Sequence, residues 1–179
     1  KYEPILRAGT PLGRVPRYGH VKNGLYANNT FVNIGETGIN IGASYNSNPG
    51  ADQRVLIPEN NRIINNIVLK TKEGTGISVT TPSKTPPLDR FTFAPNVLEG
   101  NISFGATENS KVNGITVVDP KLSLKDGLYR PSAQSPVVDK GVQIDIKEDI
   151  DGQLRSGKVD IGADEVSSVA VKRKPVSAD

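Results

Sequence analysis

The sequence predicts an all-β solenoid, a parallel β-helix of short stacked coils, and three observations predict it. Leu, Ile, Val and Thr abound, Ala is scarce, and Gly, Pro and Asn interrupt every apolar stretch, with 18 Gly and 13 Pro among 179 residues. β-Branched residues suit a pleated surface, and the breakers stop long helices. A short pattern then recurs as Gly38-Ile39-Asn40-Ile41, Gly76-Ile77-Ser78-Val79 and Gly114-Ile115-Thr116-Val117, 38 residues apart each time. Upstream of each lies an apolar unit carrying Asn29, Asn66 or Asn101, at spacings of 37 and 35. Self-similarity at a period of roughly 20–50 residues marks a repeat architecture.

Each repeat reads in order as a short strand, a turn carrying Asn, a second short strand, a Gly turn, a third short strand and a loop of variable length. The first strands fall near Leu25, Ile63 and Val97, the second near Phe31, Ile67 and Ile102, and the third at the Gly-Ile pattern. One such unit cannot bury its apolar face alone, whereas stacked units bury Ile, Val, Leu and Phe as one continuous column. Asn29, Asn66 and Asn101 then lie one above another, and their amides are expected to hydrogen-bond along the stack as a ladder. Residues 46–52 and 80–87 are rich in Asn, Pro, Gly and Ser or Thr and read as loops projecting from the column. The repeat fades after residue 118. The expected division is therefore coils over 1–118, a C-terminal capping segment over 119–168 that closes the open end of the stack, and a flexible tail over 169–179.

Composition narrows the functional classes. The chain has no Cys and one His, which excludes a disulfide scaffold, a Cys-ligated metal site and a multi-His metal site. No apolar run approaches the roughly 20 residues of a membrane-spanning helix. Net charge is +3, and the bases are concentrated early, with nine Lys or Arg against four acids in residues 1–72 and thirteen against fifteen after them. An acidic partner would meet the first half. Nucleic acid is not expected as that partner, because the net charge is small and the 5% aromatic residues do not interleave with the bases.

The best candidate binding constellation is basic: Arg14, Arg17, Tyr18, His20 and Lys22 at the first visible coil, with Arg54 one coil on. Arginine forks bind carboxylates bidentately, and a tyrosine offers a face for a sugar ring and a hydroxyl. Together Arg14, Arg17, Tyr18, His20 and Arg54 suit an anionic glycan, although each alone also reads as a solvated or packed side chain. Glu36 precedes a Gly turn and reads as solvated, since one carboxylate is a poor Ca²⁺ site. Asp149-Ile150-Asp151-Gly152 has the look of the start of a Ca²⁺ loop, but loop position twelve is Asp160 rather than Glu. A structural turn with Asp151 paired to Arg155 is the expectation, and no metal ligand is assigned in the chain.

Two sets of residues carry a resemblance. Residues 131–141 (PSAQSPVVDKG), 149–155 (DIDGQLR) and 159–165 (VDIGADE) resemble the closing signature of secreted bacterial right-handed β-helix proteins. Residues 18–33 (YGHVKNGLYANNTFVN), with 54–61 (RVLIPENN) and 65–68 (NNIV), are similar to the later coils of polysaccharide lyase family 6, the alginate lyases and chondroitinase B. The matches cover most of residues 14–165.

The resemblance implies a right-handed parallel β-helix, secreted or periplasmic in a bacterium, taking part in β-elimination on a uronate-containing polysaccharide. It implies a Ca²⁺ cofactor held by Asn and Glu, a Lys that removes the C5 proton and an Arg that assists departure of the C4 oxygen. The catalytic residues and the Ca²⁺ ligands are expected on upstream coils, outside the matched stretch. The chain is thus expected to be the C-terminal portion of a lyase, partnered by an N-terminal β-helix segment of the same protein. Its polymer is expected to be alginate, with dermatan or chondroitin sulfate as the alternative. A non-catalytic acidic-glycan-binding β-helix, or a purely structural adhesive solenoid, is the competing reading.

Overall fold

A computed structural model of the chain describes residues 21–41, 58–71, 74–79, 94–106 and 112–173. The first coil contributes β1 (Leu25–Ala27), β2 (Thr30–Ile34) and β3 (Ile39–Ile41), and the second β4 (Arg62–Ile64), β5 (Ile67–Thr71) and β6 (Ile77–Val79). The third contributes β7 (Val97–Glu99) and β8 (Asn101–Phe104), followed by the short β9 (Ile115–Thr116). Up to β8, successive strands enter different sheets and pair in parallel with their counterparts one coil on, as β1-β4-β7, β2-β5-β8 and β3-β6, and β9 then adds to β8 in the second sheet. This is the β-helix-like stack that the repeats predict. Among the described residues there is no helix, and so none long and apolar enough to cross a membrane.

Register explains the core. Tyr26, Ile63 and Leu98 are aligned across the first sheet, Phe31, Val68 and Ser103 across the second, and Ile39 and Ile77 across the third. These side chains, Ser103 apart, converge with Ile41 and Val79 on one apolar column, in which Ile63 and Val68 are wholly buried. Because neighbours on a strand face opposite ways, Ile67, Leu69 and Ile102 point to the other face of the second sheet. They are buried there against Val137 and Ile161 of the C-terminal segment. The second sheet is therefore apolar on both faces, which is why Ile67-Val68-Leu69 reads as a continuous apolar run rather than an alternation.

The C-terminal segment begins with an antiparallel hairpin of β10 (Leu122–Lys125) and β11 (Leu128–Pro131), then runs without long strands along the flank of the coils. The Asn65 side chain clasps it: Nδ2 donates to the Val142 carbonyl and Oδ1 accepts from the Val142 N–H, both at 2.8 Å. The Gly162 N–H bonds the Asn65 carbonyl at 2.9 Å, and the Ala163 N–H reaches the Thr30 hydroxyl of the first coil at 3.0 Å. The segment thus covers the side of the second sheet, a packing role that the expectation of an end cap did not contain. Residues at the start of the expected tail are also tied down: Gln153 Nε2 donates to the Val169 carbonyl, and the Lys172 and Arg173 N–H groups both reach the Asp151 carbonyl.

The third Gly-Ile pattern needs correction. Ile115-Thr116 does not join the sheet of Ile39 and Ile77; it pairs with β8, with Asn101 opposite Ile115. The shared spacing of 38 is coincidental there, because the chain returns to the second sheet only 14 residues after Asn101 instead of completing a full coil. Gly114 has its own reason to be glycine: its φ is +84°, and a Cβ would lie 1.8 Å from the Leu98 carbonyl oxygen.

Candidate functional site

The corners of the coils gather the polar side chains. The Asn29 N–H and Nδ2 both donate to Asn66 Oδ1, at 3.2 and 2.8 Å, and the Asn66 N–H and Nδ2 repeat this on Asn101 Oδ1 at 3.0 and 2.9 Å. Asn101 ends the ladder on the Gly114 carbonyl, which accepts from both its N–H and its Nδ2. Asn66 and Asn101 have no exposed surface, and the ladder satisfies amides that burial would otherwise leave without partners. The three asparagines placed together by spacing are thus brought together, in a structural role.

A second ladder was missed. The Gly24 N–H donates to Asn61 Oδ1 at 2.9 Å, and the Asn61 N–H and Nδ2 donate to Asn96 Oδ1 at 3.0 and 2.8 Å. The signal was present, because Asn61 and Asn96 share the spacing of 35 that separates Asn66 from Asn101. The glycine in the first coil hid the repeat.

Left-handed backbone occurs in register at the same corners. Asn28, Asn65 and Gly100 form one column, with φ of 52, 55 and 64°, and Asn33, Lys70 and Gly105 form another, with φ of 57, 58 and 71°. Asn and Gly tolerate this region, whereas Lys70 is strained in it. The described coils also carry exposed cations, Lys22, Arg62 and Lys70, and Glu36 is exposed as expected.

Charged chemistry is concentrated in the closing segment. Arg130 grips both oxygens of Asp151, at 2.5 and 3.1 Å, and reaches Asp164 Oδ1 at 2.8 Å. Hydrogen bonding to Asp151 raises the guanidinium pKa above its ordinary value. Asp149 Oδ1 accepts the N–H groups of Asp151 and Gln153, and its Oδ2 accepts that of Glu165. Beside them Arg155, 8% exposed, donates to Glu165 Oε2 at 2.9 Å and to the Gly162 carbonyl at 2.8 Å. The expected Asp151–Arg155 pair is therefore wrong. With no helix to make a four-residue spacing meaningful, Asp151 takes Arg130 from 21 residues earlier, and Arg155 takes Glu165. Burial raises the Asp164 carboxyl above the usual carboxylate range against the opposing pull of Arg130. Burial also raises Glu165, against hydrogen bonding from the Asp160 backbone and the charge of Arg155.

Asp149, Asp151 and Asp164 each offer a carboxylate oxygen, all within 4.8 Å of one another, so the triad could hold a cation. In this arrangement Arg130 already supplies the positive charge, and the oxygens of Asp149 and Asp151 are engaged by N–H donors. A Ca²⁺ ion needs six to eight oxygens, so the triad as it stands does not fit one. Arg14, Arg17, Tyr18, His20 and Arg54, the residues that sequence reasoning nominated for binding, lie outside the described residues.

No protein-family model matches the chain, and no curated protein matches it. Among solved structures, the chain is similar to a PL6 family polysaccharide lyase from Pseudopedobacter saltans, at 56% sequence identity over 66% of this chain, with a TM-score of 0.46. The matched region is 28% of that protein, so the chain spans little more than a quarter of its length.

Proposed function

We propose that the chain is part of a polysaccharide lyase that cleaves a uronate-containing polymer, alginate first, by β-elimination, and that it contributes the end of the substrate groove. The observation that carries this reading is that the described residues bearing the family 6 resemblance build the stack: Asn28 and Asn29, Asn60 and Asn61, and Asn65 and Asn66 all stand at coil corners. The sequence identity to a polysaccharide lyase is in keeping with it.

The chemistry asked of the chain is binding. A uronate polymer presents one carboxylate per residue, and Arg14, Arg17 and Arg54 would grip such carboxylates bidentately, with Tyr18 and His20 against the sugar rings. Lys22, Arg62 and Lys70 add exposed positive charge along the described coils. In this reading the fold is a right-handed β-helix, exported to the periplasm or beyond the cell. The base that removes the C5 proton, the Arg that assists the C4 oxygen and the ligands of the implied Ca²⁺ ion stand on further coils of the lyase. When bound there, that ion supplies positive charge beside the uronate carboxylate and lowers the cost of the developing carbanion. Further coils would also pair with β1, β2 and β3, each of which stands at the edge of its sheet among the described residues, since β-helix coils join edge to edge.

Affinity for alginate measured at low and high salt tests the assignment. The chain is expected to bind, to lose affinity as salt rises, and to bind more weakly after Arg54→Ala. Undiminished affinity in the variant removes Arg54 from the groove, and binding to neither alginate nor dermatan sulfate removes the lyase reading in favour of a structural solenoid.

A further inference from the structure

The chain contains two Asn-Gly pairs, Asn23-Gly24 and Asn113-Gly114, and both asparagines are exposed. Asn-Gly is the dipeptide in which main chain most readily attacks side chain, because glycine has no Cβ to shield its nitrogen. Exposure alone would make the two equivalent, but their hydrogen bonds do not. In the first pair, the attacking nitrogen is held by the Asn61 ladder, with Gly24 N–H donating to Oδ1 at 2.9 Å. The Asn23 side chain is held as well, its Oδ1 accepting from Asn60 Nδ2 at 2.8 Å, and its own N–H bonds the Glu59 carbonyl. Asn113 and Gly114 sit at the tip of a turn closed by Ile115 N–H to the Val112 carbonyl at 3.2 Å. Neither the Gly114 N–H nor the Asn113 side chain has a hydrogen-bond partner among the described residues.

We propose that Asn113 is a site of spontaneous, base-promoted conversion to aspartate and isoaspartate through a succinimide shared with Gly114, and that the asparagine ladder protects Asn23 from the same reaction. The Gly114 nitrogen, losing its proton to hydroxide, forms a bond to Asn113 Cγ. The Cγ–Nδ2 bond breaks, and ammonia leaves with a proton returned from water. Water then opens the ring, at Cγ to give aspartate or at the main-chain carbonyl to give isoaspartate, so the net change is one water consumed and one ammonia released. No oxidant, metal or enzyme is required.

The location gives the reaction a structural consequence. The Gly114 carbonyl terminates the ladder, accepting from the Asn101 N–H and Nδ2. Gly114 has no slack, since a Cβ there would lie 1.8 Å from the Leu98 oxygen. An isoaspartyl link adds one carbon to the main chain immediately before this residue, so conversion at Asn113 shifts the carbonyl on which the ladder ends.

The test is incubation of the folded chain at mildly alkaline pH, followed by tryptic mapping and isoaspartyl methylation. Cleavage at Lys111 and Lys121 isolates a peptide in which Asn113 is the sole asparagine. Isoaspartate is expected at Asn113 at least about tenfold faster than at Asn23, as one or more hydrogen bonds of protection require. The rate should rise with pH, and the two sites should react alike in denaturant. Asn113→Gln removes the signal from that peptide, and Asn60→Gly, at an exposed corner whose positive φ glycine accepts, accelerates reaction at Asn23. Equal rates at Asn23 and Asn113 in the folded chain, or an Asn113 that reacts only in denaturant, would overturn the proposal.

Discussion

The coil stack and the closing segment solve the same problem, burial of polar groups, with opposite chemistry. In the stack the ladders bury neutral amides, Asn66 and Asn101 in one and Asn61 in the other, each answering its counterpart on the neighbouring coil. In the C-terminal segment buried and half-buried charges pair without any repeat, Arg130 with Asp151 and Asp164, and Arg155 with Glu165. A ladder can be extended by adding coils because its unit is self-complementary. A charge pair cannot be extended, and it fixes one particular chain path instead. The contrast matches the packing, repetition along the coils and a single irregular path for the segment that covers the side of the second sheet.

The largest effect should come from the charged region. Arg155→Ala leaves Glu165 buried without its cation, and such broken pairs cost about 3–5 kcal/mol. Chemical denaturation should show the loss, and a smaller loss in the Arg155→Met, Glu165→Leu double variant would mark it as the cost of an orphaned charge. Next comes Asn66→Ala, which strands the Asn29 donors and the Asn101 acceptor; about 3 kcal/mol is expected for several buried groups left unpaired. Were Asn66→Ala to cost far more than Arg155→Ala, the ranking of the two regions would be reversed.

These two residues also show what was legible from sequence. Asn66 announced itself because the ladder is periodic, and its partners stand one coil away at the repeat spacing. Arg155 pairs across an irregular segment, so its partner follows no period, and the four-residue spacing to Asp151 misled. The same limit explains Gly114-Ile115, whose motif matched while its coil was cut short. The covering of the second sheet by Val137 and Ile161 was invisible as well, because burial on a second face leaves only a continuous apolar run as its trace. The basic residues nominated for binding carry no periodic or pairing signal and rest on chemistry and resemblance alone.

Smaller effects sharpen the contrast. Lys70 holds φ of 58° between Asn33 and Gly105, so Lys70→Gly should raise stability by about 1 kcal/mol, read as a higher denaturation midpoint. A loss instead would mean that the Lys70 stem packing on Gly105 outweighs the backbone strain. The smallest effect is one of pH. Burial raises the folded-state pKa of Asp164, so the folded chain binds its proton more tightly than the unfolded chain does. The stability this contributes is fully present below the ordinary carboxylate range and is lost as pH rises through the raised value. Asp164→Asn does not titrate, so its stability relative to the parent should improve from pH 4 toward pH 7 (about the range that brackets a raised carboxyl). A relative stability that worsens over that range would contradict the cause assigned to the shift.

The most direct test of the functional account is ultraviolet absorbance of the unsaturated uronate product, followed with alginate and Ca²⁺. The chain by itself is expected to give no rise, and the chain joined to the further coils that the proposed reading requires is expected to give one. A rise from the chain alone would contradict the assignment of the catalytic residues to further coils, and silence from the joined protein on both alginate and dermatan sulfate would contradict the lyase reading itself.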